Sequence, residues 1–79
     1  MRKVIYSKLA AKFLKKQDKK TQLRIIQAIS QIPKGDIKIL HGQEPYKRLR
    51  VGNYRVIYTV DELIIHIVKI GNRGDVYKQ

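Results

Sequence analysis

The chain has 79 residues, 43% of them hydrophobic, no cysteine, and a formal net charge of +12 from 18 Lys and Arg against 6 Asp and Glu. That length suits one domain over residues 1–79, and the apolar fraction argues against disorder. Without cysteine there are no disulfide staples, no thiolate nucleophile and no cysteine-ligated zinc. The scattered carboxylates and the histidines at 41 and 66 show no metal-ligand spacing, so neither a metal nor another cofactor is expected. Lys8 and Lys12 interrupt the N-terminal apolar residues before a signal-peptide core could form, and no apolar run approaches a membrane span. The expectation is a soluble, cytoplasmic protein with no membrane partner. Its positive excess attracts polyanions, nucleic acid first, with an anionic membrane surface or an acidic protein as the alternatives.

Residues 2–6, Arg-Lys-Val-Ile-Tyr, read as a first strand, rich in β-branched and aromatic side chains. Ser7 can cap a helix whose apolar stripe is Leu9, Ala10, Phe13 and Leu14. Asp18 can cap a second helix, in which Leu23, Ile25, Ile26, Ile29 and Ile32 recur at helical spacing. Pro33-Lys34-Gly35 stops it, and so short a connection makes the two helices antiparallel neighbours. After a loop through Leu40-His41-Gly42 and Pro45 the period becomes strand-like over residues 46–51, 54–60 and 63–70. Gly52-Asn53 is a two-residue hairpin signal of type II′, and Asp61-Glu62 suits a second turn. The fold class is α+β, in the order β-α-α-β-β-β. An N-terminal strand, two antiparallel helices and a three-stranded antiparallel meander place the helices on one face of the sheet, and a short C-terminal tail follows.

With Gly52-Asn53 as the turn, Val51 lies opposite Tyr54, Arg50 opposite Arg55, Leu49 opposite Val56 and Arg48 opposite Ile57. One face then carries Leu49, Val51, Tyr54, Val56 and Tyr58, extended by Leu63, Ile65 and Ile67, and this is the core face. The other collects Arg48, Arg50 and Arg55, with His66, and the aliphatic Ile57, Ile64, Val68 and Ile70. Arginines directly across a sheet repel. They either fan into water or hold an anion, and the aliphatic part of the face calls for cover by the tail or by a partner. The ending Ile70-Gly71-Asn72-Arg73-Gly74-Asp75-Val76-Tyr77 has glycines that let the chain turn back, so Arg73 and Tyr77 can approach Arg55. Taken singly, Arg73 could be a solvent-facing charge and Tyr77 a ring capping the core edge.

The element order, Leu40-His41-Gly42, the hairpin from Leu49 to Tyr58 ("LRVGNYRVIY") and the ending "IGNRGDVY" resemble the RelE/ParE superfamily of bacterial toxins, and within it the RelE-type mRNA interferases. The resemblance implies the toxin of a type II toxin–antitoxin system, a ribosome-dependent endoribonuclease that cuts mRNA in the A site without metal. The ribose 2′-OH attacks the adjacent phosphate and leaves a 2′,3′-cyclic phosphate and a 5′-OH, which inhibits translation. Carried onto this chain, Arg55 stabilises the transition-state phosphate, Arg73 the leaving oxygen, and Tyr77 stacks on a base and activates the 2′-OH. Arg48 and Lys47 match the basic pair on the preceding strand. Together with Arg50 from the register they form the RNA-binding set.

Fixed cations suit a dianionic phosphorane-like centre. A guanidinium hardly deprotonates, so electrostatic stabilisation is the natural role for Arg73. A tyrosine with an ordinary pKa of about 10 needs neighbouring guanidiniums to favour its phenolate. Many relatives carry a basic residue immediately before the post-strand arginine, where this chain has Asn72. The implied partners are mRNA, the ribosome and a cognate antitoxin, acidic and helical. Two other functions remain: a ParE-type inhibitor of DNA gyrase, and a module that binds RNA or ribosomes without cutting.

Overall fold

Ser7 ends one element and starts the next. In the computed structural model, which describes residues 3–72, strand β1 (Lys3–Tyr6) runs into helix α1 (Lys8–Lys15) through this single residue. Its extended backbone lets its Oγ accept from the Ala10 N–H at 3.0 Å, satisfying a helix-end donor. Asp18 does the same for helix α2 (Lys19–Ser30), its Oδ1 accepting from the Thr21 N–H at 2.8 Å. Between the helices, Gln22 Nε2 donates to the carbonyls of Leu14 and Gln17; the Leu14 carbonyl also accepts from the Gln17 N–H at 3.1 Å. Gln31 closes α2 ahead of Pro33.

Strands β2 (Asp36–Ile39), β3 (Lys47–Val51), β4 (Tyr54–Val60) and β5 (Ile64–Asn72) follow. They build a five-stranded sheet of order β1-β5-β4-β3-β2, antiparallel except where β1 runs beside β5. The α+β class, the helix pair and the meander stand as expected. The sheet has one strand more than expected, because residues 36–39 pair with β3. The signal was Asp36-Ile37-Lys38-Ile39, alternating polar and apolar with period two just after the helix stop.

Both helices pack on one face, α1 against β1 and β5 and α2 against β3. The core joins Ala10, Ile25 and Ile29 from the helices to Leu49, Val51, Val56, Tyr58, Ile65, Ile67 and Ile70. Phe13 meets Tyr54 edge to face, with centroids 6.1 Å apart. Not every expected core residue is inside: Leu63 lies ahead of β5 at 71% exposure, and Leu9, Leu23 and Ile26 are also exposed. The helical stripes are wider than the surface the sheet offers them.

The pairing of β4 with β5 shifts at one point. Tyr58 pairs with Ile67, but Ile57 pairs with Lys69, so Val68 is an extra residue, a β-bulge. Strict alternation from Ile65 and Ile67 would have set Lys69 opposite Val56 inside the core, and Ile70 opposite Arg55. Burying an unpaired ammonium costs more than interrupting the ladder. The bulge turns Lys69 out and Ile70 in, which corrects the expectation that Ile70 shares a face with the arginines. The Val68 carbonyl accepts from Ser7 Oγ at 2.6 Å, and the Ser7 N–H donates to the Ile67 carbonyl at 2.9 Å. One serine hydroxyl therefore caps α1 and holds the bulge.

Ser7→Ala removes both bonds and lowers the unfolding free energy by about 1–3 kcal/mol in urea titrations. Ser7→Thr keeps most of it. A loss for the alanine variant below about 0.5 kcal/mol contradicts the dual role. The hydrogen bonds to Thr21 hold the Asp18 carboxyl below its ordinary value of 3.8. Its contribution is therefore complete above that value and lost as pH falls through the lower folded-state value. Asp18→Asn still caps but does not titrate, so its stability declines less steeply on acidification. Parallel acid limbs for the two proteins would refute this.

Candidate nucleic-acid interface

The hairpin between β3 and β4 sets the site. Gly52 has φ +58°, a conformation costly to any residue with a Cβ, and Asn53 follows with negative φ, as a type II′ turn requires. A Cβ at Gly52 would also lie 2.9 Å from Nη2 of Arg24, whose guanidinium from α2 rests against the turn. The resulting register is the expected one: Val51 with Tyr54, Arg50 with Arg55, Leu49 with Val56 and Arg48 with Ile57.

Directly paired residues share a face, so the surface away from the helices can be read off the register. It carries Asp36 and Lys38 from β2, Arg48 and Arg50 from β3, Arg55, Ile57 and Thr59 from β4, His66 and Lys69 from β5, and Lys3 and Ile5 from β1. The β2–β3–β4 side of this face is basic. Towards β1 it becomes aliphatic, with Ile5, Ile57 and Ile64.

Arg55, on the central strand, is only 6% exposed and donates from Nη1 to the Tyr54 carbonyl at 3.2 Å. Arg50 opposite it is exposed. Arg48 is partly buried and donates to Asp36 Oδ1 at 3.1 Å, an ion pair. Among the described residues, neither Arg50 nor Arg55 has a carboxylate partner. Sequence reasoning missed Asp36 because it missed β2, and so treated the arginine cluster as wholly uncompensated. One of its charges is met within the sheet.

Of the other expected site residues, Lys47 pairs with Tyr58 and Ile39 and so lies on the helix-facing side, apart from the three arginines. Arg73 and Tyr77 lie outside the described residues. The last described strand ends beside the cluster, with Gly71 paired to Arg55 and adding no side chain in front of it. His66 pairs with Thr59, four residues along β4 from Arg55. At about 3.4 Å per residue that is on the order of 13 Å, too far to share one phosphate. His41 is exposed in the loop between β2 and β3. Burial pushes the phenols of Tyr6 and Tyr58 up, away from the phenolate form. Among the described residues no group of three or more His, Cys, Asp or Glu is placed to hold a metal ion. No described helix is long and apolar enough to cross a membrane.

Residues 4–77 match the family model of the ParE toxin of type II toxin–antitoxin systems, parDE, and the chain belongs to that family. Among solved structures it resembles the archaeal RelE–RelB complex of Pyrococcus horikoshii OT3, with TM-score 0.77 and 29% identity over 94% of this chain and 97% of that one. The RelB–RelE antitoxin–toxin complex of Methanococcus jannaschii gives 0.75 and 29% over 92% and 94%. The DinJ–YafQ toxin–antitoxin complex of E. coli shares the fold, with TM-score 0.72 at 16% identity over 98% of each chain. A comparison with curated protein sequences gives no match. The resemblance read from the hairpin and the middle loop is a family relationship: this is a toxin of a type II toxin–antitoxin system with a RelE-like fold.

The Arg50–Arg55 pairing has a stability consequence. Replacing Arg50 with Thr, a good strand former, removes a like-charge cross-strand pair and raises stability by about 0.2–1 kcal/mol at low salt. The gain shrinks as added salt screens the repulsion. Destabilisation at low salt would show that Arg50 is not in conflict with Arg55.

Proposed function

We propose that this toxin is a metal-independent endoribonuclease that cuts mRNA in the ribosomal A site in the cytoplasm, with Arg50 and Arg55 at the scissile phosphate. The single observation that carries the reading is the pair of guanidiniums, one of them buried, that have no carboxylate partner among the described residues on the sheet face away from the helices, where Gly71 of β5 pairs with Arg55. In this reading Arg73, two residues beyond Gly71 in the sequence, adds a third guanidinium. The similarity to two RelE–RelB complexes at 29% identity supports a RelE-type reading over a gyrase inhibitor.

In this mechanism the 2′-OH of one nucleotide bonds to the neighbouring phosphorus while the P–O5′ bond breaks. The products are a 2′,3′-cyclic phosphate and a 5′-OH. The 2′ proton passes to the Tyr77 phenolate, the departing 5′ oxygen takes a proton from water, and the hydroxide left behind takes the proton back from Tyr77. Arg55 and Arg50 meet the charge that builds on the non-bridging oxygens. A buried cation is worth most there, because its field is little screened. Arg73 stabilises the leaving oxygen. Arg48 contacts a neighbouring phosphate, and Lys47, on the helix-facing side of β3, contacts ribosomal or messenger RNA outside the cleavage centre. The ribosome holds the message in line, so cutting of free RNA is weak. A cognate antitoxin silences the toxin through an acidic amphipathic helix laid on the half-basic, half-aliphatic face.

Induction in a bacterial host, with cut sites mapped by primer extension on a translated reporter, tests this. Discrete cuts within translated codons are expected, and Arg55→Ala, Arg73→Ala and Tyr77→Phe each reduce them by about 10²-fold or more. Growth arrest with intact messages and a DNA-damage response would instead establish gyrase inhibition. Ribosome binding without cuts would establish a non-catalytic module.

A further inference from the structure

Asp36 is the only carboxylate on a described strand, and it lies on the open face among cations. Its paired residue on β3 is Arg50, yet its Oδ1 takes the diagonal neighbour, Nη2 of Arg48. The pair is lopsided. Arg48's side chain is 14% exposed, whereas that of Asp36 is 58% exposed. The Arg48 Nε is buried with no hydrogen-bond partner among the described residues. A guanidinium carries five N–H donors, and among the described residues this one uses a single donor, towards Asp36. Its neighbours across the strands are Lys38 and Ile57, which offer no acceptor side chain.

We infer that Asp36 is an internal stand-in for a phosphate at Arg48. Carboxylate and phosphate take a guanidinium through the same donors. An exposed carboxylate holding one hydrogen bond is cheaply displaced. In the free toxin Asp36 occupies Arg48, keeps its side chain over the sheet and weakens the basic face for stray polyanions. When a nucleic-acid backbone arrives, a phosphate takes the place of the carboxylate at Nη2. Asp36 is thus a positioning and affinity-setting residue, acting through Arg48 rather than on the reacting atoms. The inference rests on the reading of this face as the RNA-binding surface.

The test uses the full chain and a fluorescein-labelled oligouridylate, with affinity measured by anisotropy over a series of salt concentrations. Asp36→Asn and Asp36→Ser each tighten binding by about two- to fivefold, the factor that corresponds to an exposed ion pair. The log–log salt slope stays the same, because the same number of phosphates is contacted in the complex once the carboxylate has been displaced. In an Arg48→Ala background the same substitutions change neither quantity. Glu62→Gln, which removes an exposed charge from the β4–β5 turn, leaves the affinity unchanged. Unaltered or weaker binding by both Asp36 variants overturns the inference, as does a gain that persists without Arg48. So does failure of both variants to fold, since Asp36 is then structural. If Arg48→Ala and Arg50→Ala leave RNA binding intact, the reading of the face itself fails. If they weaken binding while the Asp36 variants do not tighten it, only the role of Asp36 falls.

Discussion

The arrangement depends on one extra residue in β5. The core needs Ile65, Ile67 and Ile70 on the same side, and the first two are in step while the third is one residue out of phase. The sheet resolves this by leaving Val68 unpaired and meeting its carbonyl with the Ser7 hydroxyl. The same adjustment exports Lys69 to the open face and sets Gly71, rather than an isoleucine, in front of Arg55. A packing requirement on one side of the sheet thereby leaves a residue without a side chain paired to a buried cation on the other.

That buried cation is what separates this face from an ordinary basic surface. Lysines also cover the helices, with Lys8, Lys12, Lys15, Lys19 and Lys20 all exposed. Those side chains are mobile point charges in water, suited to long-range attraction of a polyanion. The sheet face differs because its guanidiniums are fixed by strand pairing, and one of them is shielded from solvent. Positioned charge in a low-dielectric setting suits a developing phosphorane, whereas diffuse charge serves docking. The carboxylate on β2 meets one charge of the cluster, that of Arg48.

Much of this was legible in the sequence, because the relevant rules are local. Glycine at 52 fixes the turn and the turn fixes the register, so the pairing of Arg50 with Arg55 followed from a dipeptide. Ser7 and Asp18 marked both helix starts for the same reason. What escaped was non-local. The strand 36–39 is too short to declare itself without β3 beside it, and Asp36 was lost with it. The bulge could have been suspected from Lys69, which strict alternation would have buried, but its site needed the Ser7 hydroxyl sixty-one residues away. Lys47 was assigned by resemblance as one of a pair with Arg48, although adjacent strand residues point to opposite faces.

The most direct test of where the nucleic acid sits is a residue-resolved map of backbone amide shifts as single-stranded RNA is titrated into the full chain. The account predicts changes concentrated at Arg48, Arg50, Arg55, Lys69 and Gly71, fading as salt is raised. Changes confined to the lysine-bearing helices, with β3 and β4 unmoved, would contradict it.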